Sequence, residues 1–375
     1  MTRRTQNFLP THGGQLRQIA ARYGFKPEQL LDFSANINPA GPPASVLAAL
    51  QRALSNPAIL VTYPDLELTE LKRTLSDACG VRPENIAVAN GFVPLLEAAL
   101  RSLRIERCLL PVPSFSEYRQ TLTNAGVAVT PCYLSQEESF SYQPDTLLRT
   151  ALEHDCDALL LANPQNPSGS LCKAGRMRDL IERAAKHRVK VLLDEAFIDY
   201  VPAESLTRFA IESENLAVFH SVTKFFAIPG LRVAYTVSDA SSIQNLNNRL
   251  APWPVTTLAS DAVCVALQDT VYAEETRREN YLRRTWLERE LARLKIFTYS
   301  SSTNFLLLRF AADVDVQLLW EEMIVHERIV LRSCANFEGL APLHLRIAVR
   351  SQAENERLIQ GLGRSMVRQA GSISA

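Results

Sequence analysis

Between about residues 67 and 237 the chain repeats one pattern. A short, almost continuously apolar run ends at Pro, Asn or Gly, and a stretch with helical periodicity follows. The runs are IAVA (86–89), RCLLP (107–111), VAVTPCY (127–133), DALLLAN (157–163), VKVLLDE (189–195), LAVFHS (216–221) and RVAYTV (232–237). Strands that are apolar at nearly every position are buried on both faces, as in a parallel sheet covered by helices. Helices are expected over 67–78, 93–103, 115–124 and 173–188. Their alternation with the strands predicts an α/β fold with a mostly parallel central sheet flanked by helices.

Outside this block the texture differs. Residues 15–24 and 44–55 have helical periodicity, and LLDFSANINPAGPP (30–43) between them reads as a short strand and a loop. After about 240 come two helices (256–268 and 272–294), the strands FTYSSSTNFLLLRF, RIVLRS and LHLRIAVR, and a last helix at about 352–368. The expected organisation is a large domain at 45–245 and a smaller α+β unit at 246–375. The N-terminal arm, 1–44, is expected to contribute to the smaller unit.

Charge narrows the partners. Lys+Arg and Asp+Glu each number 40, so the chain has no global pull on nucleic acid or an anionic membrane, and neither is expected as a partner. An anion must be held by a local site. The seven cysteines stand singly, with no CxxC spacing, which argues against zinc and against a disulfide framework. The N-terminus MTRRTQNFLPTHGG has no apolar stretch behind it and does not read as a secretory signal. A soluble, cytoplasmic protein is expected.

GxGxxG, P-loop, HExxH and GxSxG patterns are all missing from the sequence. Four features instead fall at predicted strand ends, where open α/β sheets bind ligands. SVTKFFAIPGLR (221–232) offers the Lys224 amine beside Ser221, Thr223 and Arg232. VLLDEAF ends an apolar strand on Asp194, a carboxylate that is costly to bury without a cation. NPQNPSG (163–169) presents the Asn166 amide. ANGF (89–92) puts Gly91 and Phe92 at a helix start, where backbone N–H groups approach an anion. An amine nucleophile, a carboxylate, an amide and a phosphate cradle suit pyridoxal 5′-phosphate. The lysine forms a Schiff base, and the Asp keeps the pyridine nitrogen protonated so that the ring acts as an electron sink.

The order N-G, P-S-F-S-E-Y, N-P-x-N-P-x-G, D-E-A-F and S-x-T-K-x-x-x-x-P-G-L-R, over roughly residues 10–350, resembles fold-type I pyridoxal-phosphate enzymes of the aminotransferase I/II superfamily. The resemblance implies that Lys224 carries the cofactor, Asp194 meets its ring nitrogen and Asn166 its phenolic oxygen. It implies a phosphate cup of Ser221, Thr223, Arg232 and the Gly91–Phe92 backbone, with Phe115 stacked on the ring. Tyr63 matches a tyrosine that reaches the cofactor phosphate of the neighbouring subunit, which implies a homodimer. Phe197 stands where many relatives carry a tyrosine.

Two branches of the superfamily act on amino-phosphates: histidinol-phosphate aminotransferases and the threonine-phosphate decarboxylases of cobalamin synthesis. THGG (11–14), LLDFSANINPAGPP (30–43) and RSCANFEGL (332–340) before LRIAVR (345–350) resemble the decarboxylases. This implies substrate contacts from His12, Gly13, Asn36, Asn166, Arg332 and Arg346. The two arginines would serve the two anionic groups of a small phosphorylated amino acid. Arg350 is a weaker third candidate, equally a surface strand residue. The implied reaction is decarboxylation of L-threonine O-3-phosphate to (R)-1-amino-2-propanol phosphate. An aminotransferase acting on histidinol phosphate, or a decarboxylase of serine phosphate, is the alternative.

Overall fold

Side-chain parity along the strands governs the layering. The computed structural model describes residues 10–373; of the arm expected over 1–44, residues 1–9 lie outside the described residues. The first strand, β1 (Leu31–Asp32), belongs to the arm. Seven strands then build the main sheet: β2 (Ile86–Ala89), β3 (Arg107–Val112), β4 (Ala128–Tyr133), β5 (Ala158–Ala162), β6 (Lys190–Asp194), β7 (Leu216–Ser221) and β8 (Ala234–Val237). Their order is β2-β8-β7-β6-β5-β3-β4, and β8 alone runs antiparallel to its neighbours. This is the expected α/β sheet.

Successive residues of a strand point to opposite faces. Leu159, Leu161, Val191, Leu193 and Val218 therefore join one buried cluster, and Leu160, Leu192, Ala217 and Phe219 join another. Asp194 shares the parity of Leu192, and Ser221 that of Phe219. Glu195 and His220 face the opposite layer. Strand parity thus separates two sets of polar groups that are adjacent in sequence.

Five further strands follow: β9 (Phe297–Thr298), β10 (Phe305–Arg309), β11 (Ile329–Val330), β12 (Arg332–Ser333) and β13 (His344–Ala348). Antiparallel pairing gives the order β12-β13-β10-β9, while β11 pairs in parallel with β1. Ile19, Ala20, Leu30 and Phe33 of the arm share a buried cluster with Trp320, Ile347 and Leu358.

The structure departs from the sequence reading in several places. The run 297–310 is two strands, because Ser301 turns its hydroxyl onto the Phe305 carbonyl at 2.7 Å. RIVLRS divides between two sheets. Helix Pro144–Glu153 went unforeseen; its proline occupies the first turn, where the missing N–H has no helical partner to lose. Helices Ala240–Asn247 and Val316–Val325 also went unforeseen, each entered through an Asp cap, Asp239 and Asp315. Helix Thr257–Gln268 buries Ala259, Ala262 and Val263 in the core of the main sheet, so it packs with the large layer rather than with the C-terminal unit. Among the described residues no helix is long and apolar enough to cross a membrane.

Candidate active site

The carboxyl ends of β5, β6 and β7 open onto a cavity of about 300 Å³ whose lining includes Lys224, Asn166, Phe115, Phe197, Arg232 and Arg346. Lys224 sits on the single turn Val222–Phe225 that follows β7. Its Nζ donates to Ser221 Oγ at 3.3 Å, and Ser221 Oγ lies 2.8 Å from Thr223 Oγ1. Burial pushes the amine down; the Asp194 charge acts against that, and Arg232 and Arg346 reinforce it. A lysine held below its usual range is readier to act as a nucleophile.

Asp194, the last residue of β6, is buried. Its carboxylate accepts from the Tyr118 hydroxyl at 2.5 Å and from the Ala196 N–H at 2.9 Å. Burial raises the carboxyl above its usual range, while the Tyr118 bond and the Lys224 charge oppose the rise. No cation is hydrogen-bonded to it among the described residues.

The two arginines expected to meet the substrate are register partners, Arg332 on β12 opposite Arg346 on β13. Like charges directly opposite on a sheet repel, and both side chains are buried. Arg346 Nη1 donates to Asn166 Oδ1 at 2.6 Å, and its buried Nε has no partner. Arg332 Nη2 donates to the Thr11 carbonyl at 2.7 Å and to Asn336 Oδ1 at 2.8 Å; Nη1 reaches the carbonyls of Pro10 and Ser333. Among the described residues no carboxylate neutralises either guanidinium. Burial pushes both down, Arg346 to about 9.

Gly91 has φ 94, a conformation that favours glycine. A Cβ there would lie 2.9 Å from Arg232 Nη2, so the guanidinium closes directly over this backbone. Gly91 also caps helix Phe92–Ser102, whose first N–H groups are free for an anion. Phe92 contributes backbone only, since its ring packs on Tyr118 and Phe219 at 5.6 and 5.4 Å. Phe115 lines the cavity edge-on to Tyr118. Phe197 packs on Phe305 at 5.0 Å, and its ring centroid is 5.5 Å from Lys224 Nζ.

His12, Gly13 and Asn36 line the mouth. A Cβ on Gly13 would fall 2.1 Å from the Ser34 carbonyl, so the arm fits there only as glycine. Asn36 is buried and its Oδ1 has no partner. Two sequence candidates stand apart. Tyr63 is 77% exposed, packed on Trp253 with the ring centroids 4.7 Å apart, and does not line the cavity that holds Lys224. Arg350 is tied to Glu354 at 2.7 Å and to the Asp32 carbonyl at 2.9 Å, which supports its structural reading. Tyr118 went unassigned in the sequence, although it lies one helical turn beyond Phe115 in P-S-F-S-E-Y, the spacing that brings two side chains to one face.

Residues 28–362 match the family described as aminotransferase class I and II. The chain belongs to that family. Among its class I and II relatives, the threonine-phosphate decarboxylase of Salmonella typhimurium (strain LT2) is 36% identical, covering 95% of this chain and 96% of the relative. An adenosylcobalamin biosynthesis bifunctional protein of Leptospira interrogans is 28% identical over 94% of this chain and 40% of its own length. The crystal structure of the histidinol-phosphate aminotransferase from Clostridium acetobutylicum superposes with a TM-score of 0.82 at 28% identity, covering 89% of this chain and 98% of that one.

Proposed function

We propose that this chain is a pyridoxal-phosphate-dependent decarboxylase that converts L-threonine O-3-phosphate to (R)-1-amino-2-propanol phosphate and CO2. The observation that carries the substrate class is the buried cross-strand pair Arg332–Arg346, two un-neutralised guanidinium groups facing one small cavity with a lysine. A substrate with a carboxylate and a phosphate supplies the two missing anions. The decarboxylase relative at 36% identity favours loss of CO2 over amino transfer.

The residues fit pyridoxal 5′-phosphate. Lys224 is the amine that would bond it. The Ser221 and Thr223 hydroxyls, the Arg232 guanidinium and the Gly91 backbone would hold its phosphate, and a Cβ at Gly91 would crowd Arg232. Asp194 is a buried carboxylate without a cationic hydrogen-bond partner, as a protonated ring nitrogen requires. When bound, the cofactor withdraws the electron pair left at Cα as a bond there breaks. Arg332 and Arg346 hold the anionic groups and so set which Cα bond is presented. The arm, through His12 and Gly13, and the 332–340 segment, through Arg332 and Phe337, line the cavity beside the lysine. Lys224, in its protonated form, would deliver a proton to Cα in place of the carboxylate that leaves as CO2.

We also propose a homodimer in the cytoplasm. Leu60, Val61, Tyr63 and Leu66 are exposed apolar residues on one stretch of chain, with Trp253 beside Tyr63. A partner's cavity is the place for a Tyr63 that its own cavity does not use. The free state of all seven cysteines fits a reducing compartment. A role in cobalamin synthesis is supported by the name of the Leptospira interrogans relative.

The deciding experiment incubates purified, cofactor-loaded enzyme with threonine phosphate and no keto acid. CO2 release at a steady rate is expected. No CO2, with histidinol phosphate turned over only when a keto acid is present, would make the protein an aminotransferase.

A further inference from the structure

The N-terminal arm crosses the cavity mouth through Pro10–Gly14, and its path is fixed by backbone contacts. Arg332 and Asn336 hold the Pro10 and Thr11 carbonyls. Gly14 N–H donates to Ser34 Oγ at 2.9 Å, and Gly13 lies against the Ser34 carbonyl. None of these contacts touches the His12 ring. Among the described residues, two side chains meet that ring: Phe115, at a centroid distance of 6.5 Å, and Glu117, whose Oε1 is 3.2 Å from Nε2.

We infer that Glu117 is the positioning residue for His12, and that it holds the imidazole at the mouth so that the ring meets the anionic end of the substrate. The inference rests on reading the cavity as a site for a phosphorylated amino acid. A ring with protons on both nitrogens that gives its Nε2–H to Glu117 still has an Nδ1–H to present to an anion. Such a ring would share the cavity lining with Arg332, Arg346 and Lys224, whose positive charges would repel it. Glu117 is the carboxylate that offsets this repulsion. Arg119 on the same helix is engaged elsewhere, with Glu338 at 2.5 Å. The His12 side chain is 43% exposed, so a ring released by Glu117 has solvent to swing into.

One stretch of chain therefore serves three ends. Phe115 forms the wall, Glu117 steers the His12 ring, and Tyr118 turns inward to Asp194. Glu117 acts through His12 and touches neither the cofactor site nor the reacting atoms.

The test uses the cofactor-loaded enzyme with Glu117→Ala, Glu117→Gln, His12→Ala and the double variant Glu117→Ala/His12→Ala. Glu117→Ala is expected to raise KM for threonine phosphate about tenfold, with kcat changed less than about twofold and the visible cofactor spectrum unmoved. Glu117→Gln, which still offers an acceptor oxygen, recovers part of the loss. The double variant is expected to be no worse than His12→Ala, because both changes remove one interaction. Additive losses, an unchanged KM, or a fall in kcat at constant KM would each overturn the inference. Affinity for inorganic phosphate, read by calorimetry on the same variants, separates this inference from the proposed reaction. A wild type that fails to release CO2 sinks the reaction, while non-additive loss of phosphate affinity still upholds the role of Glu117.

Discussion

The Tyr118 hydroxyl sits 2.5 Å from Asp194 Oδ2, with both groups buried. A phenol in this position gives the carboxylate a donor without bringing a counter-charge that would compete with a cationic ring nitrogen. Burial alone lifts the Asp194 carboxyl, and this bond is the largest of the influences that bring it back down. The Tyr118 phenol, for its part, is pushed well up by burial and by the Asp194 charge, so it remains a donor.

Tyr118→Phe removes that donor while keeping the ring that packs on Phe92 and Phe115. Hydrogen bonds to a charged group contribute about 1.5–3 kcal/mol. The expected result is a roughly ten- to hundred-fold weaker hold on pyridoxal phosphate, measured by equilibrium dialysis. Wild-type affinity in the variant would show that the carboxylate manages without the phenol.

Arg346 is pushed down to about 9 by burial first and by Arg332 second. An anion placed between the two guanidinium groups reverses both influences, so anions should stabilise the folded protein. Inorganic phosphate at a hundred times its dissociation constant would contribute about 2.7 kcal/mol, seen as a rise in Tm. The charged guanidinium is the form that binds, so the rise is largest below about pH 9 and fades as pH increases through it. Arg346→Met should lose most of the response, and a variant that keeps it would place the anion elsewhere.

Behind the sheet, burial raises the Glu195 carboxyl to about 8 and lowers the His220 imidazole to about 3. Their 3.6 Å approach is therefore a contact of two neutral groups at pH 7. The carboxyl accepts from Ser205 Oγ at 2.6 Å and from the Leu206 N–H at 2.8 Å. The folded state keeps a proton that the unfolded chain releases between about 4.5 and 8, so this group's stability contribution is complete below about 4.5 and is lost as pH rises to 8. Glu195→Gln should flatten that window by an amount on the order of a few kcal/mol. Urea unfolding at pH 5 and pH 8.5 measures it; equal pH dependence in both proteins would refute the assignment.

Phe197 brings a ring, but no hydroxyl, to within 5.5 Å of Lys224 Nζ. A tyrosine there donates to the cofactor's phenolic oxygen and competes with the proton on the lysine nitrogen for it. Phe197→Tyr should therefore shift the loss of the long-wavelength cofactor band to lower pH in a spectral titration. A titration that coincides with wild type, or moves upward, would show that residue 197 does not face that oxygen.

The strand ends were legible because apolar runs and their Pro, Asn and Gly terminators are local. Asp194, Lys224 and Asn166 each stand at or just past the end of such a run; Lys224 and Asn166 line one cavity, and the Asp194 charge acts on the Lys224 amine. Tyr118 and Glu117 were not legible. They are neighbours in one helix, yet one turns to a buried carboxylate and the other to an arm residue more than a hundred positions earlier in the chain. Helix Thr257–Gln268 carries no local mark of the layer it joins; packing against the core of the main sheet decides that.

By itself the sequence determined the alternation of apolar strands and helices, the lysine, carboxylate and amide at the strand ends, and the glycine that opens the phosphate cradle. These follow from short-range rules of burial, periodicity and backbone freedom. The tertiary structure alone decided that Arg332 and Arg346 lie opposite one another without a counter-charge, that Arg332 grips the arm by its carbonyls, and that Tyr63 is turned away from its own cavity. Those relations depend on strand register and on contacts between distant segments, and a register shift of one residue would send either arginine to the other face.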